Sequence, residues 1–522
     1  MKPMRAHPLF VVVTLLVIAL SPATTRAAPD AGVVGTGTAA SCTEAAFDAA
    51  LAGSGTITFN CGGAATITLA TNKTIASDTV IDGGGLITLQ GATNVYIQVF
   101  VSKTLTLRNI TLANFKTSSA GAIENFGTLT LDHARFVNNQ VTNAGGAIHN
   151  YGTINAADSV FSGNKAGKSG GAIYNDGASA ASVNRSTFTG NSITAATGTG
   201  GAIAAGGGVF TITASTFTAN SALDGGAINV GTAATAVVQS SLIYSNSAGY
   251  GGGIESTGTL TVTDSTINRN VAANVGGGIW VLDGRAYIRR TTISNNTAFE
   301  GGGLSNYSSV VGGVTLRDVT VSGNTSGGDG GGIYCSGEMF LIDVTLSGNS
   351  VTGAGKGGGG LYLPVGGKAV LSWVTVANNN AAFGKGLYGT GGPNASKSLF
   401  IYRILLSNNN GSDCDGGNIT SSGYNVSGDT SCAALTQTGD VKSANVSLGP
   451  LAFNGGATLT HLPLPGNAAI DRVPNGASCN MPDGSSPADQ RGASRPVNTL
   501  CDSGAVETGA KLPMMQLPIV LR

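Results

Sequence analysis

Three side chains that could move protons, Glu124, His149 and Tyr174, each follow an Ala-Ile pair at about the same interval along the chain. A carboxyl, an imidazole and a phenol brought side by side have the reach of general acid–base catalysis. The same position in later copies holds Trp280, Tyr334, Tyr362 and Tyr388, whose ring faces suit stacking against sugars. Read in full, the position runs Glu124, His149, Tyr174, Ala204, Asn229, Glu255, Trp280, Ser305, Tyr334, Tyr362, Tyr388. A structural explanation competes with both chemistries. Aromatics stacked on an outer β face stabilise a sheet by about 0.2 to 1 kcal/mol per pair without any ligand.

The elements that must position these residues are repeats. Each copy reads as a glycine pair, a small residue and Ile or Leu, a polar turn, a β-rich run, then an apolar residue three before Asn. The closing asparagines are Asn139, Asn164, Asn191, Asn220, Asn246, Asn270, Asn296, Asn324, Asn349 and Asn379, spaced 24 to 30 residues apart. A period in that range marks a solenoid of stacked supersecondary units. Apolar residues alternate within each copy, as in Thr128-Leu129-Thr130-Leu131 and Phe210-Thr211-Ile212-Thr213, which predicts strands. No sustained helical stripe runs between about residue 56 and residue 430. Rungs of two or three strands stacking about 4.8 Å apart predict an all-β parallel β-helix. The isoleucines and Phe136, Phe161, Phe188 and Phe217 then stack inside, and the residue after each isoleucine points outward. The asparagines suit turns, since they tolerate left-handed backbone and bond to the copies above and below.

Charge is balanced, 27 basic against 27 acidic residues, which argues against nucleic acid as a partner. Residues 1–27 read as a signal peptide, with Lys2 and Arg5 before the apolar run Leu9 to Leu20, and no later stretch is long enough for a transmembrane helix. Export permits disulfides, and Cys42, Cys61, Cys414, Cys432, Cys479 and Cys501 are the candidates, as sequence-near staples where stacking stops. Cys335 takes the place of Asn125, Asn150, Asn175 and Asn306 in other copies, and reads as a buried small hydrophobe. No Cys/His spacing suits zinc, and no cofactor is implied. The expected organisation is an N-terminal cap over 28–55 with a short helix, repeats over 56–432, an irregular C-terminal module over 433–508, and an apolar tail over 509–522.

The run Gly-Gly-Ala-Ile-x-Asn, then Thr-Leu-Thr-Leu and Ser-Thr-Phe-x-x-Asn, resembles the right-handed parallel β-helix repeats of polymorphic outer-membrane-protein-like surface proteins, within the pectin-lyase-like superfold. The likeness spans about 300 residues. The stretch from Leu448-Gly449-Pro450-Leu451, through Asp489-Gln490-Arg491-Gly492 and Arg495-Pro496, to Cys501-Asp502-Ser503-Gly504-Ala505-Val506-Glu507 resembles the choice-of-anchor Q module. That module follows β-helix repeats in exported bacterial proteins and precedes surface-attachment tails. Asp489, Arg491, Arg495 and Glu507 then read as ion pairs and caps over the last rung.

Enzymes of the superfold provide a check. The adjacent Asp-Asp pair and Gly-His-Gly that its polygalacturonase-type hydrolases resemble each other in are both missing, and no rung carries a calcium-lyase carboxylate cluster. Glu124 and Glu255, five rungs apart, cannot serve as the two carboxyls of an inverting hydrolase. The expectation is a secreted, extracellular protein, attached to the cell surface or free. It acts as an adhesive, glycan-binding or structural module that takes a polysaccharide or cell-surface glycan. The alternative is a polysaccharide lyase or glycoside hydrolase working at Glu124, His149 and Tyr174.

Overall fold

Strand pairing in the computed structural model joins equivalent residues of successive copies. The structure describes residues 30–390, 398–474, 479, 488–497 and 499–512. The signal-peptide reading of residues 1–27 and the tail beyond Leu512 lie outside the described residues.

The rung that starts at Gly145 shows the plan. Strands Ile148–Asn150, Thr153–Ala157, Val160–Ser162 and Lys165–Ala166 follow one another around the coil. Each lies parallel to its counterpart in the next rung, with Ile148 beside Ile173, Ile154 beside Ala181, Phe161 beside Phe188 and Ala166 beside Ile193. Repetition gives a β-solenoid of about 15 turns, with helix making up 3% of the chain. Like stacks on like inside. Phe136, Phe161, Phe188 and Phe217 form one buried pile with ring centroids 5.0, 4.6 and 4.7 Å apart. Each such ring withdrawn from water contributes about 1.5 to 3 kcal/mol.

The glycine pair has two separate jobs. Gly170 takes φ +62°, and a Cβ on Gly171 would collide with the carbonyl oxygen of Gly201 in the next rung. The asparagine bonds to the copies on either side as expected, but its own backbone is not the left-handed one. Left-handed backbone falls on the residue before it, as at Asn138 (φ 55°), Ala219 (φ 55°) and Arg269 (φ 54°). The asparagines are buried and form an amide ladder. Each Oδ1 accepts both the backbone N–H and the side-chain N–H of the asparagine one rung back, as Asn220 accepts from Asn191 at 3.0 and 2.9 Å. Each Nδ2 also donates to a backbone carbonyl, as Asn220 does to Phe188 at 3.1 Å. The ladder continues to Asn409.

At the N-terminal end, helix Glu44–Ala52 is capped by Thr43, which accepts from Ala46 N–H at 3.2 Å, and inserts Phe47 into the core. All three expected disulfides form: Cys42–Cys61, Cys414–Cys432 and Cys479–Cys501. Cys335 is buried in register with Asn306, whose amide lies 3.9 Å from its sulfur.

The C-terminal segment lies elsewhere than over the last rung. Residues 488–497 and 499–507 lie along the flank of the solenoid, where the outward column Thr320, Thr345, Thr375 presents one hydroxyl per rung. Gln490 donates to Thr320 at 2.9 Å and accepts from Thr345 at 2.6 Å, while Ala505 N–H donates to Thr375 at 2.9 Å. Arg495 lies over the Trp373 ring at 4.3 Å, between Asp343 at 3.3 Å and Glu507 at 3.6 Å. The solenoid's end is occupied instead by Cys432 and Leu435, which join the core there.

Candidate functional site

The outward column holds register through the stack. Gln98, Glu124, His149, Tyr174, Ala204 and Asn229 pair in turn, followed by Glu255, Trp280, Ser305, Tyr334, Tyr362 and Tyr388. A second column accompanies it, formed by the residue before each glycine pair: Thr199, Asp224, Tyr250, Val275 and Glu300 are successive neighbours. Glycines separate the two columns, and this strip, here termed the furrow, runs along one face of the solenoid. A Cβ on Gly276 or Gly358 would clash with the Cβ of Trp280 or Tyr362, so these side chains lie directly over their glycines.

At the N-terminal end the furrow brings Glu124, His149 and Tyr174 together on three consecutive rungs. Two residues not singled out from sequence complete the group. Tyr151 stacks on His149 at 4.2 Å, with Tyr174 at 5.1 Å on the imidazole, and the Asp176 carboxylate lies 3.7 Å from His149 Nε2. Glu124 accepts from the Gln98 amide at 2.9 Å. His149 is 3% exposed, and burial holds its pKa below the usual imidazole value against the opposing pull of Asp176. Neither ring nitrogen makes a hydrogen bond among the described residues.

Midway, two acids from adjacent rungs approach each other. Glu255 is 3% exposed and accepts from the Asn229 amide. Burial, then the neighbouring Asp224, pushes its pKa from 4.5 up to about 8, so at neutral pH it carries a proton. Burial also raises Asp224. A protonated acid beside a second carboxyl is the electrostatic arrangement of acid–base pairs. Asp224 had a sequence signal: the position before each glycine pair repeats as strictly as the one after Ile, and holds Asp224, Glu300 and Asp329.

The aromatics expected as one exposed set divide in two and are partly buried. Tyr250 stacks on Trp280 at 5.0 Å. Ser305 then interrupts the row, buried and donating to the Glu300 carbonyl at 2.9 Å. Beyond it Tyr307, Tyr334, Tyr362 and Tyr388 stack continuously at 5.4, 5.5 and 5.3 Å, with Phe383 tilted against Tyr388 at 4.9 Å. Tyr307, which follows the next turn of its own rung, donates to Glu300 at 2.7 Å. Burial, then the Asp329 charge, pushes Tyr362 up to about 12.

Among the described residues one group of three, Asp132, His133 and Asp158, brings possible metal-ligand atoms within 4.8 Å of one another. It lies on a corner, outside the furrow. Both Asp158 oxygens are held by Arg185, at 2.8 and 2.6 Å, and Asp132 is engaged by His133 at 2.6 Å, so a cation there would have to displace existing partners.

Two stretches match a family model. Residues 158–176 and 318–336 fit the Chlamydia polymorphic membrane protein repeat. Each stretch begins at a left-handed corner, Asp158 or Asp318, crosses the third strand and the asparagine, and ends just past the furrow residue of the next rung, Tyr174 or Tyr334. The chain is thus a parallel β-helix repeat protein in which those rungs are similar to that repeat. No curated protein matches it. Among the described residues no helix is long and apolar enough to cross a membrane.

Proposed function

We propose that this is a surface-displayed or secreted adhesive β-helix whose furrow binds glycan chains. The observation that carries the reading is the unbroken row Tyr307, Tyr334, Tyr362, Tyr388, four rings 5.3 to 5.5 Å apart on one face. Ring edges repeating once per rung match a polymer that repeats once per sugar, and partly buried aromatics give a rigid platform at low entropic cost. Surface location is supported by the two rungs similar to polymorphic membrane protein repeats. The C-terminal segment, with its resemblance to an anchor-type module, fits attachment.

The Asp224 and Glu255 pair favours a second reading, cleavage of the same polymer by acid–base chemistry. One experiment separates the two. The full chain is incubated with neutral and acidic polysaccharides, with and without calcium, and both retention and chain shortening are scored. Retention without shortening is the expected result. Shortening that disappears in Glu255→Gln would replace binding with catalysis, and absence of both retention and shortening would remove the glycan reading.

A further inference from the structure

The C-terminal segment on the flank, residues 488–497 and 499–507, meets the solenoid mainly through polar groups. Arg495 is buried between Asp343 and Glu507, both buried as well, and Gln490 spans the hydroxyls of Thr320 and Thr345. Taking charges out of water costs about as much as their pairing returns. Here Asp343 Oδ2 and the Arg495 Nε–H also lack hydrogen-bond partners among the described residues. Such contacts fix where the segment lies and add little to how firmly it is held.

The apolar hold is concentrated at one place. Trp373, Val473, Cys479 and Cys501 form a buried cluster, with Ile342 and Tyr424 packed against it. The Cys479–Cys501 bridge, with a sequence separation of 22, closes a loop that contains residues 488–497. Restricting the unfolded freedom of a loop of that length favours the docked arrangement roughly a hundredfold over the unlinked chain. Docking protects the bridge in turn. Cys479 and Cys501 are 1% and 0% exposed, so a reductant reaches them only when the segment lifts.

The solenoid forms elsewhere without this cover. The left-handed corner column that holds Asp318, Asp343, Trp373 and Arg403 under the segment also holds Asp158 and Arg185 several rungs earlier. The ion pair of those two is open to solvent, yet the strands on either side of it keep the same parallel register.

We propose that residues 488–497 and 499–507 are a redox-locked clasp: closed on the flank while Cys479 is joined to Cys501, and open, with Trp373 and the threonine column uncovered, once the two are thiols. Opening is a thiol–disulfide exchange. A dithiol gives up two electrons and two protons, leaves as its own disulfide, and returns Cys479 and Cys501 to thiols. Glu507 leads to the last residues of the chain, so the lock decides whether they leave from a fixed point on the solenoid or a loose one.

The test uses the full chain carrying Trp280→Phe, which leaves Trp373 as its one tryptophan. Three readings are taken: trypsin cleavage after the buried Arg491, acrylamide quenching of Trp373, and the far-ultraviolet strand signal. With the bridge intact, Arg491 is expected to resist and Trp373 to be shielded. Adding Cys479→Ser with Cys501→Ser should speed cleavage after Arg491 roughly a hundredfold and make Trp373 quenchable, with the strand signal unchanged. Dithiothreitol acting on the bridged chain should do the same, and reoxidation should restore protection. Resistance at Arg491 in the serine variant overturns the lock. So does release accompanied by loss of the strand signal, which would make the bridge a support of the whole solenoid.

Discussion

Two columns of side chains run the length of this solenoid at the same interval and could hardly differ more. The ladder from Asn139 to Asn409 keeps one residue type at every rung, fully buried, with each amide committed to its neighbours and to a backbone carbonyl. The furrow column changes at almost every rung, from Glu124 to His149 to Tyr174 to Ala204, and leaves the Trp280 indole N–H without a hydrogen-bond partner among the described residues. The ladder is uniform because an amide is both donor and acceptor and can satisfy a copy of itself above and below. No such requirement acts on the furrow, where buried His149, Glu255 and Ser305 alternate with partly exposed rings. A repeat protein thus separates the position its stability uses from the position left open to binding.

The largest effect should come from breaking the ladder. Asn220→Ala removes the acceptor for Asn191 N–H and Nδ2 and the donor to the Phe188 carbonyl, all buried. A loss of about 2 to 4 kcal/mol is expected in urea denaturation, with glycan retention by the folded fraction unchanged. A loss under about 0.5 kcal/mol would mean that the asparagine is not a structural necessity.

Glu255 lies in the furrow but is as buried as the ladder, and it makes the contrast quantitative through pH. Its folded pKa of about 8 exceeds the ordinary 4.5, so between those values the folded chain keeps a proton that the unfolded chain releases. Stability from this group is therefore fully present below pH 4.5 and falls as pH rises through about 8. Glu255→Gln should flatten that decline in urea midpoints measured across the window. An identical slope in the variant would place the source of any decline elsewhere.

The smallest stability effect is expected at Tyr362. Its neighbours Tyr334 and Tyr388 lie 5.5 and 5.3 Å away, and Tyr362→Ala should cost no more than about 1 kcal/mol while reducing glycan retention severalfold. Large destabilisation with retention intact would turn the tyrosine row into a structural stack like the asparagines.

Much of this arrangement is legible in the amino-acid sequence. Gly-Gly-x-Ile and Phe-x-x-Asn have fixed spacing, and a strand alternates sides residue by residue, so inward phenylalanines and an outward Glu124, His149, Tyr174 series follow directly. Other features are not legible there. The left-handed residue is Ala219 or Arg269 rather than the asparagine, because the corner's backbone shape is set by the rung beneath it and admits nearly any side chain there. Nothing local announces that Gln490 reaches Thr320 and Thr345, since that contact spans some 145 to 170 residues.

The sequence by itself determined the rung, its period and which side chains face inward, because each depends on short, repeated spacing. Only the tertiary structure decided what the outward residues meet. It set Asp224 against Glu255, split Trp280 from the tyrosine row at Ser305, and laid the C-terminal segment along the threonine flank. Those outcomes depend on how neighbouring rungs of unequal length superpose, and a periodic pattern carries no record of that until the coils are stacked.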